Sequence, residues 1–117
     1  MCWNYRGYGK SGSSFINGSI NPYNLKLDGE RVLEFVTKNM NLRGKIGVYG
    51  RSLGGIASCH LANKYPHIVS SLIVDRTFCE LDSLSKRRLL GRCTDRIYKI
   101  VSYNWIALND RNFAEAK

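Results

Sequence analysis

Short apolar runs alternate with longer segments of helical periodicity along this chain, and stretches rich in Gly or Asn separate them. Strands are predicted at residues 1–5, 45–49 and 68–74, the last being a nearly continuous apolar run typical of a strand buried on both faces of a parallel sheet. Apolar residues at helical spacing predict helices over 25–40 and 53–65. This order of elements predicts an α/β fold with about three parallel strands and flanking helices.

The last third of the chain differs from the rest in charge. Residues 83–117 hold eight Lys or Arg against three Asp or Glu, whereas residues 1–82 hold ten against six. Apolar and basic side chains of this last third fall on different faces of one predicted helix. We therefore predict a central α/β part at 1–82 and a basic helical segment at 83–117 of the same domain. The basic face consists of Arg88, Arg92, Arg96 and Lys99.

Composition narrows the class of protein. With 117 residues and 44% hydrophobic residues, the chain is too small for a multidomain protein and too apolar for a disordered one. It has no apolar run of the length that a bilayer-spanning helix or a signal peptide needs, which predicts a cytoplasmic location. The four cysteines form no C-x-x-C pair, so we expect neither a metal site nor a disulfide framework.

The net charge of +9 raises the question of a nucleic-acid partner. The sequence has no helix-turn-helix, RNP, KH or zinc-finger pattern, and its aromatic residues do not alternate with basic residues along one strand. We therefore expect that the chain does not bind nucleic acid.

The stretch Gly50-Arg51-Ser52-Leu53-Gly54 matches G-x-S-x-G, the pattern of a nucleophile elbow. In an elbow a serine sits on a sharp turn between a strand and a helix, and the flanking glycines leave room for that turn. A predicted strand precedes this stretch and a predicted helix follows it. We predict Ser52 as the nucleophile and the backbone N–H of Leu53 as one oxyanion donor, supported by the positive end of the helix dipole.

Three blocks of the sequence together resemble a known family. They are residues 4–12 (NYRGYGKSG), 50–55 (GRSLGG) and 73–78 (IVDRTF). In this order and at these intervals they resemble the α/β-hydrolase fold, and specifically the membrane-associated ABHD, BEM46-like serine hydrolases. The resemblance implies that the three predicted strands are the fourth, fifth and sixth strands of the hydrolase sheet.

The same resemblance implies an activity. The expected reaction is hydrolysis of an ester, thioester or amide in a small-molecule or acylated substrate, through an acyl-enzyme on Ser52 and without a cofactor. A membrane-associated location is a further expectation from the family. The elbow itself would consist of Gly50, Arg51, Gly54 and Gly55 around the nucleophile.

A serine nucleophile needs a general base, and neither histidine of the chain is placed to serve. His60 lies eight residues beyond Ser52, about 12 Å along the predicted helix, and His67 precedes a strand at the opposite edge of the sheet. Asp75 follows that strand at the C-terminal edge of the sheet, where the chemistry is expected, and is therefore a candidate catalytic acid. The alternative is that Asp75 caps a turn. In that family the usual catalytic acid follows the seventh strand of the sheet, and the second oxyanion donor follows the third strand.

We therefore predict that the chain is an internal fragment of a hydrolase domain, inactive by itself. The alternative function is a non-catalytic remnant that binds an anionic membrane surface or a protein partner through its basic helix. Labelling of Ser52 by a serine-directed probe separates the two, because only the hydrolase needs an activated serine.

Overall fold

The structure is a computed structural model, and it describes residues 1–12, 20–40, 42, 44–77 and 109–116. The described part contains two helix–strand pairs, a short third helix, a 3₁₀ turn at Gly9–Ser11 and a π turn at Phe35–Asn39. In chain order the elements are α1 (Pro22–Glu34), β1 (Ile46–Arg51), α2 (Gly54–Lys64), β2 (Val69–Asp75) and α3 (Asn109–Glu115).

Helix α1 begins three residues before the predicted helix because Asn21 and Pro22 form a strong start signal. The Asn21 side chain accepts a hydrogen bond from the N–H of Asn24 at 2.8 Å, and Pro22 stands where no helical N–H is needed. The helix continues as a π turn at Phe35–Asn39, in which the N–H of Met40 donates to the Phe35 carbonyl. The predicted helix over 25–40 is thus confirmed in position.

Strands β1 and β2 pair in parallel, with α2 as the crossover between them. Tyr49 lies beside Ile73 and Arg51 beside Asp75 in the register, so the carboxyl ends of both strands meet at one edge. Both strands lie within two residues of their predicted bounds. The structure confirms a mixed α/β arrangement with a two-stranded parallel sheet in the described part.

The core forms where α2 packs against one face of the sheet and against α1 and α3. Close contact of α1 with α2 occurs at Gly29, where a Cβ would lie 3.3 Å from the Ala57 side chain. One apolar cluster joins the helices to the sheet and a second joins α1 to the start of α2. Their buried members are Leu33, Leu61, Ala62 and Val69 in the first, and Leu25 and Ile56 in the second.

The opposite face of the sheet is exposed, which corrects the prediction that residues 68–74 are buried on both sides. Tyr49 and Ile73 are each 61% exposed on this face, and Ser71 is exposed beside Gly47. Apolar composition predicted the strand correctly, but it does not report which elements cover a sheet.

The prediction of a strand at residues 1–5 is wrong, because the described structure has no strand there. This segment has no strand pairing, and its last two carbonyls serve a turn instead of a β ladder. Ser11 Oγ donates to the Asn4 carbonyl at 3.2 Å, and the N–H of Tyr8 donates to the Tyr5 carbonyl at 3.0 Å. In the described part of the chain, these two carbonyls accept hydrogen bonds from within residues 1–12 and from no strand.

The predicted basic segment falls mostly outside the described residues. Helix α3 lies within 83–117 and packs on α2, where Asn63 donates to Glu115 at 3.0 Å. The four residues of the predicted basic face lie outside the described part, and the division at residue 82 stays a prediction. No helix in the described ranges has the length and apolarity to cross a bilayer.

Candidate active site

The turn between β1 and α2 holds Ser52 in a left-handed backbone conformation. Only Ser52 and Leu53 separate the end of β1 from the start of α2, so the chain must reverse direction sharply. Ser52 is exposed and has a φ angle of 51°. A residue with a Cβ is disfavoured there by about 1–2 kcal/mol, and such strain concentrates at functional sites.

Two of the three elbow glycines are required by close packing. A Cβ on Gly50 would collide with Ser58 Oγ and with the Gly54 carbonyl, and a Cβ on Gly55 would collide with Thr77. Gly54 is less constrained, since a Cβ there would meet the Tyr5 hydroxyl at 3.4 Å, an ordinary contact distance. The tight turn therefore depends on Gly50 and Gly55.

The last residue of β2 and Thr77, two residues later, hold the two backbone groups of Ser52. The N–H of Ser52 donates to the Asp75 carbonyl at 3.0 Å. Thr77 Oγ1 donates to the Ser52 carbonyl at 2.8 Å. We call this pair of hydrogen bonds the Ser52 clasp; it fixes the turn to the neighbouring strand.

The start of α2 offers backbone donors beside Ser52. The N–H of Gly55 donates to the Ser52 carbonyl at 3.1 Å, and that of Ile56 donates to the Leu53 carbonyl at 3.2 Å. Within the described ranges, the N–H of Leu53 has no hydrogen-bond acceptor. It is thus available to an anion that develops next to Ser52, and its role as an oxyanion donor stays a prediction.

Asp75 lies at the edge of the sheet where Ser52 lies, but its carboxylate is engaged by other groups. Its Oδ2 accepts a hydrogen bond from the Tyr49 hydroxyl at 3.3 Å and lies 3.7 Å from Arg51 Nε. Its Oδ1 lies 3.5 Å from Arg76 Nε. In the part of the chain that the structure describes, no histidine contacts Asp75, so its role as the catalytic acid stays a prediction.

Arg51 therefore has a partner on the exposed sheet face. Its side chain is 62% exposed and pairs with Asp75 across the two strands. An exposed pair of this kind contributes little to stability, typically about 0–1 kcal/mol.

The two histidines occupy a helix face and a turn, away from the elbow turn. His60 Nε2 lies 2.6 Å from Glu30 Oε1, which links α2 to α1. The same carboxylate oxygen accepts a hydrogen bond from Lys64 Nζ at 2.7 Å. His67, in the turn before β2, makes an edge contact with the Tyr65 ring. His60 is thus held at the α1–α2 interface by an acid that is not Asp75.

The first motif block, residues 4–12, contacts the rest of the domain through side chains and not through strand pairing. Arg6 Nε donates to both carboxylate oxygens of Asp28 on α1, at 2.9 Å for the shorter bond. Tyr5 packs against the cluster of Leu25 and Ile56, and its hydroxyl lies close to Gly54. Burial and the charge of Asp28 raise the pKa of Tyr5, which therefore stays a neutral phenol.

Sequence reasoning missed Thr77 and the Glu30–His60 contact. Thr77 stands in the third motif block, two residues after Asp75, so its distance from the strand end was a usable signal. Nothing in the sequence signals the pairing of Glu30 with His60, which are 30 residues apart and meet only because α1 packs on α2. Among the described residues, no group of three or more His, Cys, Asp or Glu is placed to hold a metal ion.

Comparison with known proteins gives partial matches to two fungal proteins. The uncharacterized membrane protein YNL320W of Saccharomyces cerevisiae is 34% identical over 80 residues, which cover 68% of this chain and 26% of that protein. The protein bem46 of Schizosaccharomyces pombe is 36% identical over 81 residues, which cover 68% of this chain and 25% of that protein. No family model and no solved structure matches. The chain is therefore similar in sequence to bem46 and spans about a quarter of the length of these curated relatives.

Proposed function

We propose that this chain carries the nucleophile region of a serine hydrolase of the ABHD, BEM46-like type. The observation that carries the proposal is the left-handed backbone of Ser52 at a two-residue turn from a parallel strand into a helix. The partial similarity to bem46 supports it. The reaction would be hydrolysis of an ester, thioester or amide in a small-molecule or acylated substrate.

The proposal gives roles to two residues. Ser52 Oγ attacks the substrate carbonyl carbon, its proton passes to a general base, and an acyl-enzyme forms as the leaving group departs with a proton. The N–H of Leu53 and the positive end of the α2 dipole stabilise the negative charge on the carbonyl oxygen. Water then attacks the acyl-enzyme and regenerates Ser52.

The proposal assigns no general base among the described residues. His60 is held by Glu30, and His67 lies in the turn before β2, at the edge of the sheet opposite to Ser52. Asp75 remains the proposed candidate for the acid because it flanks the elbow at the same sheet edge. No step of the proposed reaction requires a metal or an organic cofactor.

A fluorophosphonate probe tests the proposal, because it reacts with serines that a base and an oxyanion site activate. The experiment uses the full gene product that contains this chain. We expect labelling of the wild type and none of Ser52→Ala. Ser70→Ala, which removes an exposed strand serine, is the control and should label like the wild type. An unlabelled wild type would reject the hydrolase.

A second proposal concerns location, since one relative is called a membrane protein and the chain carries a charge of +9. We propose that Arg88, Arg92, Arg96 and Lys99 bind an anionic membrane surface, each contributing about 1 kcal/mol. Vesicles with and without phosphatidylserine test this by co-sedimentation. Changing all four residues to Gln should remove the phosphatidylserine-dependent binding, and unchanged binding would refute the proposal.

A further inference from the structure

The Ser52 clasp reaches the nucleophile from a segment 25 residues away in sequence. One of its bonds joins two backbone groups, Ser52 N–H and the Asp75 carbonyl, and any residue at these positions could form it. The other depends on a side chain, because the donor to the Ser52 carbonyl is the hydroxyl of Thr77. The identity of residue 77 therefore affects how Ser52 is held.

Packing fixes the Thr77 hydroxyl in place. Thr77 Oγ1 and Cβ lie against Gly55, so closely that a Cβ on Gly55 would collide with both. Arg76, with a φ angle of 50°, is the one residue between the end of β2 and Thr77. A β-branched side chain confined in this way has few rotamers, which keeps its hydroxyl on the Ser52 carbonyl.

Ser52 needs such a constraint because its conformation is strained. The Ser52 carbonyl accepts bonds from Thr77 Oγ1 and from the N–H of Gly55, which belongs to the same turn. Without the hydrogen bond from Thr77, the Ser52 carbonyl keeps only the bond from the N–H of Gly55 within the same turn. The Ser52 backbone can then relax toward negative φ, which moves Oγ relative to the N–H of Leu53.

We propose that Thr77 is a positioning residue for Ser52. It acts through the Ser52 backbone and holds Oγ where the oxyanion donor and the general base can act on the same substrate carbonyl. The inference rests on the proposed hydrolase function and extends it to a residue outside the G-x-S-x-G motif. Misplacement of a nucleophile by a fraction of an ångström already lowers its reaction rate.

The test compares three variants of the full gene product with the wild type by their rate of fluorophosphonate labelling. Thr77→Val removes the hydroxyl and keeps the shape, and Thr77→Ser keeps the hydroxyl. Thr37→Val is the matched control, because Thr37 Oγ1 also donates to a backbone carbonyl, that of Leu33 at 2.9 Å, in the π turn after α1. Thermal melting shows how much each variant is destabilised.

We expect Thr77→Val to label more slowly than the wild type, on the order of tenfold. Thr77→Ser should restore most of the rate, and Thr37→Val should label at the wild-type rate. Equal rates for Thr77→Val and the wild type would overturn the inference while the hydrolase stands, and so would equal slowing by both valine variants. A wild type that does not label would overturn both proposals.

Discussion

Ser52 keeps a backbone conformation that its own Cβ disfavours, and its neighbours hold it there. Its N–H and carbonyl are bound by Asp75 and Thr77, and the glycines at 50 and 55 let the strand and the helix approach the turn. A strained residue of this kind lowers stability where a flexible one would not. Stability and the proposed activity are therefore opposed at this position.

Replacing Ser52 with glycine should separate the effect on stability from the effect on the proposed activity. Glycine adopts positive φ without strain, so Ser52→Gly should raise the free energy of unfolding by about 0.5–1 kcal/mol while it removes all fluorophosphonate labelling. Urea unfolding of the full gene product measures the change. Ser70→Gly, in the extended strand β2, should instead lower stability, since glycine weakens strands. A loss of stability in Ser52→Gly would contradict the strain argument.

At the scale of elements, α1 and α2 are joined by one carboxylate shared between two donors. Burial raises the pKa of Glu30, but its hydrogen bonds with His60 and Lys64 outweigh burial and hold that pKa below its ordinary value of 4.5. Because the folded pKa is lowered, Glu30 stabilises the fold above about pH 4.5. This contribution disappears as the pH falls through the lower pKa of the folded state.

Glu30→Gln should lower the free energy of unfolding at pH 7 by about 1 kcal/mol, since two charge-assisted hydrogen bonds are weakened. The difference from the wild type should begin to shrink as the pH falls below about 4.5, and it should be lost as the pH passes through the lower pKa of folded Glu30, where the wild-type carboxylate also becomes neutral. Melting temperatures measured from pH 3 to 7 test this. Glu34→Gln is the control on the same helix. Glu34 forms exposed ion pairs with Lys38 and Arg31, so this change should alter stability little. A difference that is as large at pH 3 as at pH 7 would show that charge is not the cause.

The elements also show where sequence patterns stop being informative. Periodicity predicted α1, α2, β1 and β2 to within three residues, with the π turn at Phe35–Asn39 counted as the end of α1, because each pattern is local. The failed strand at 1–5 had the right composition, but pairing depends on which groups meet its carbonyls in space. The position of Thr77 just after a strand was a usable signal, but its bond to Ser52 and the Glu30–His60 contact join segments at least 25 residues apart, and no local pattern encodes such contacts.

For the whole molecule, the exposed sheet face is the feature with the largest physical consequence. Tyr49 and Ile73 form an apolar pair on this face, at equivalent positions of the two strands. Exposed apolar strands associate with one another, which makes this face an aggregation hazard for the 117-residue chain by itself. The net charge of +9 opposes association only partly, because apolar contact is short-ranged.

A lysine in the middle of this face should raise solubility. We expect Ile73→Lys to increase the soluble fraction of the isolated 117-residue chain severalfold, since a charge on a flat strand blocks its stacking. Centrifugation after expression, followed by size-exclusion chromatography, measures the effect. Ser70→Lys adds the same charge on the same strand without removing an apolar side chain, and should help less. Equal gains from both variants would assign the effect to net charge alone.

The Ser52 clasp also dictates when the nucleophile can first exist. Ser52 leaves the ribosome 25 residues ahead of Thr77, and the strand that carries Asp75 is made only after all of α2. Parallel pairing of this kind cannot begin until the crossover is complete. A nascent chain interrupted between the two therefore displays the serine motif without its strained turn, and translation itself delays the appearance of the reactive group until the neighbouring strand has arrived.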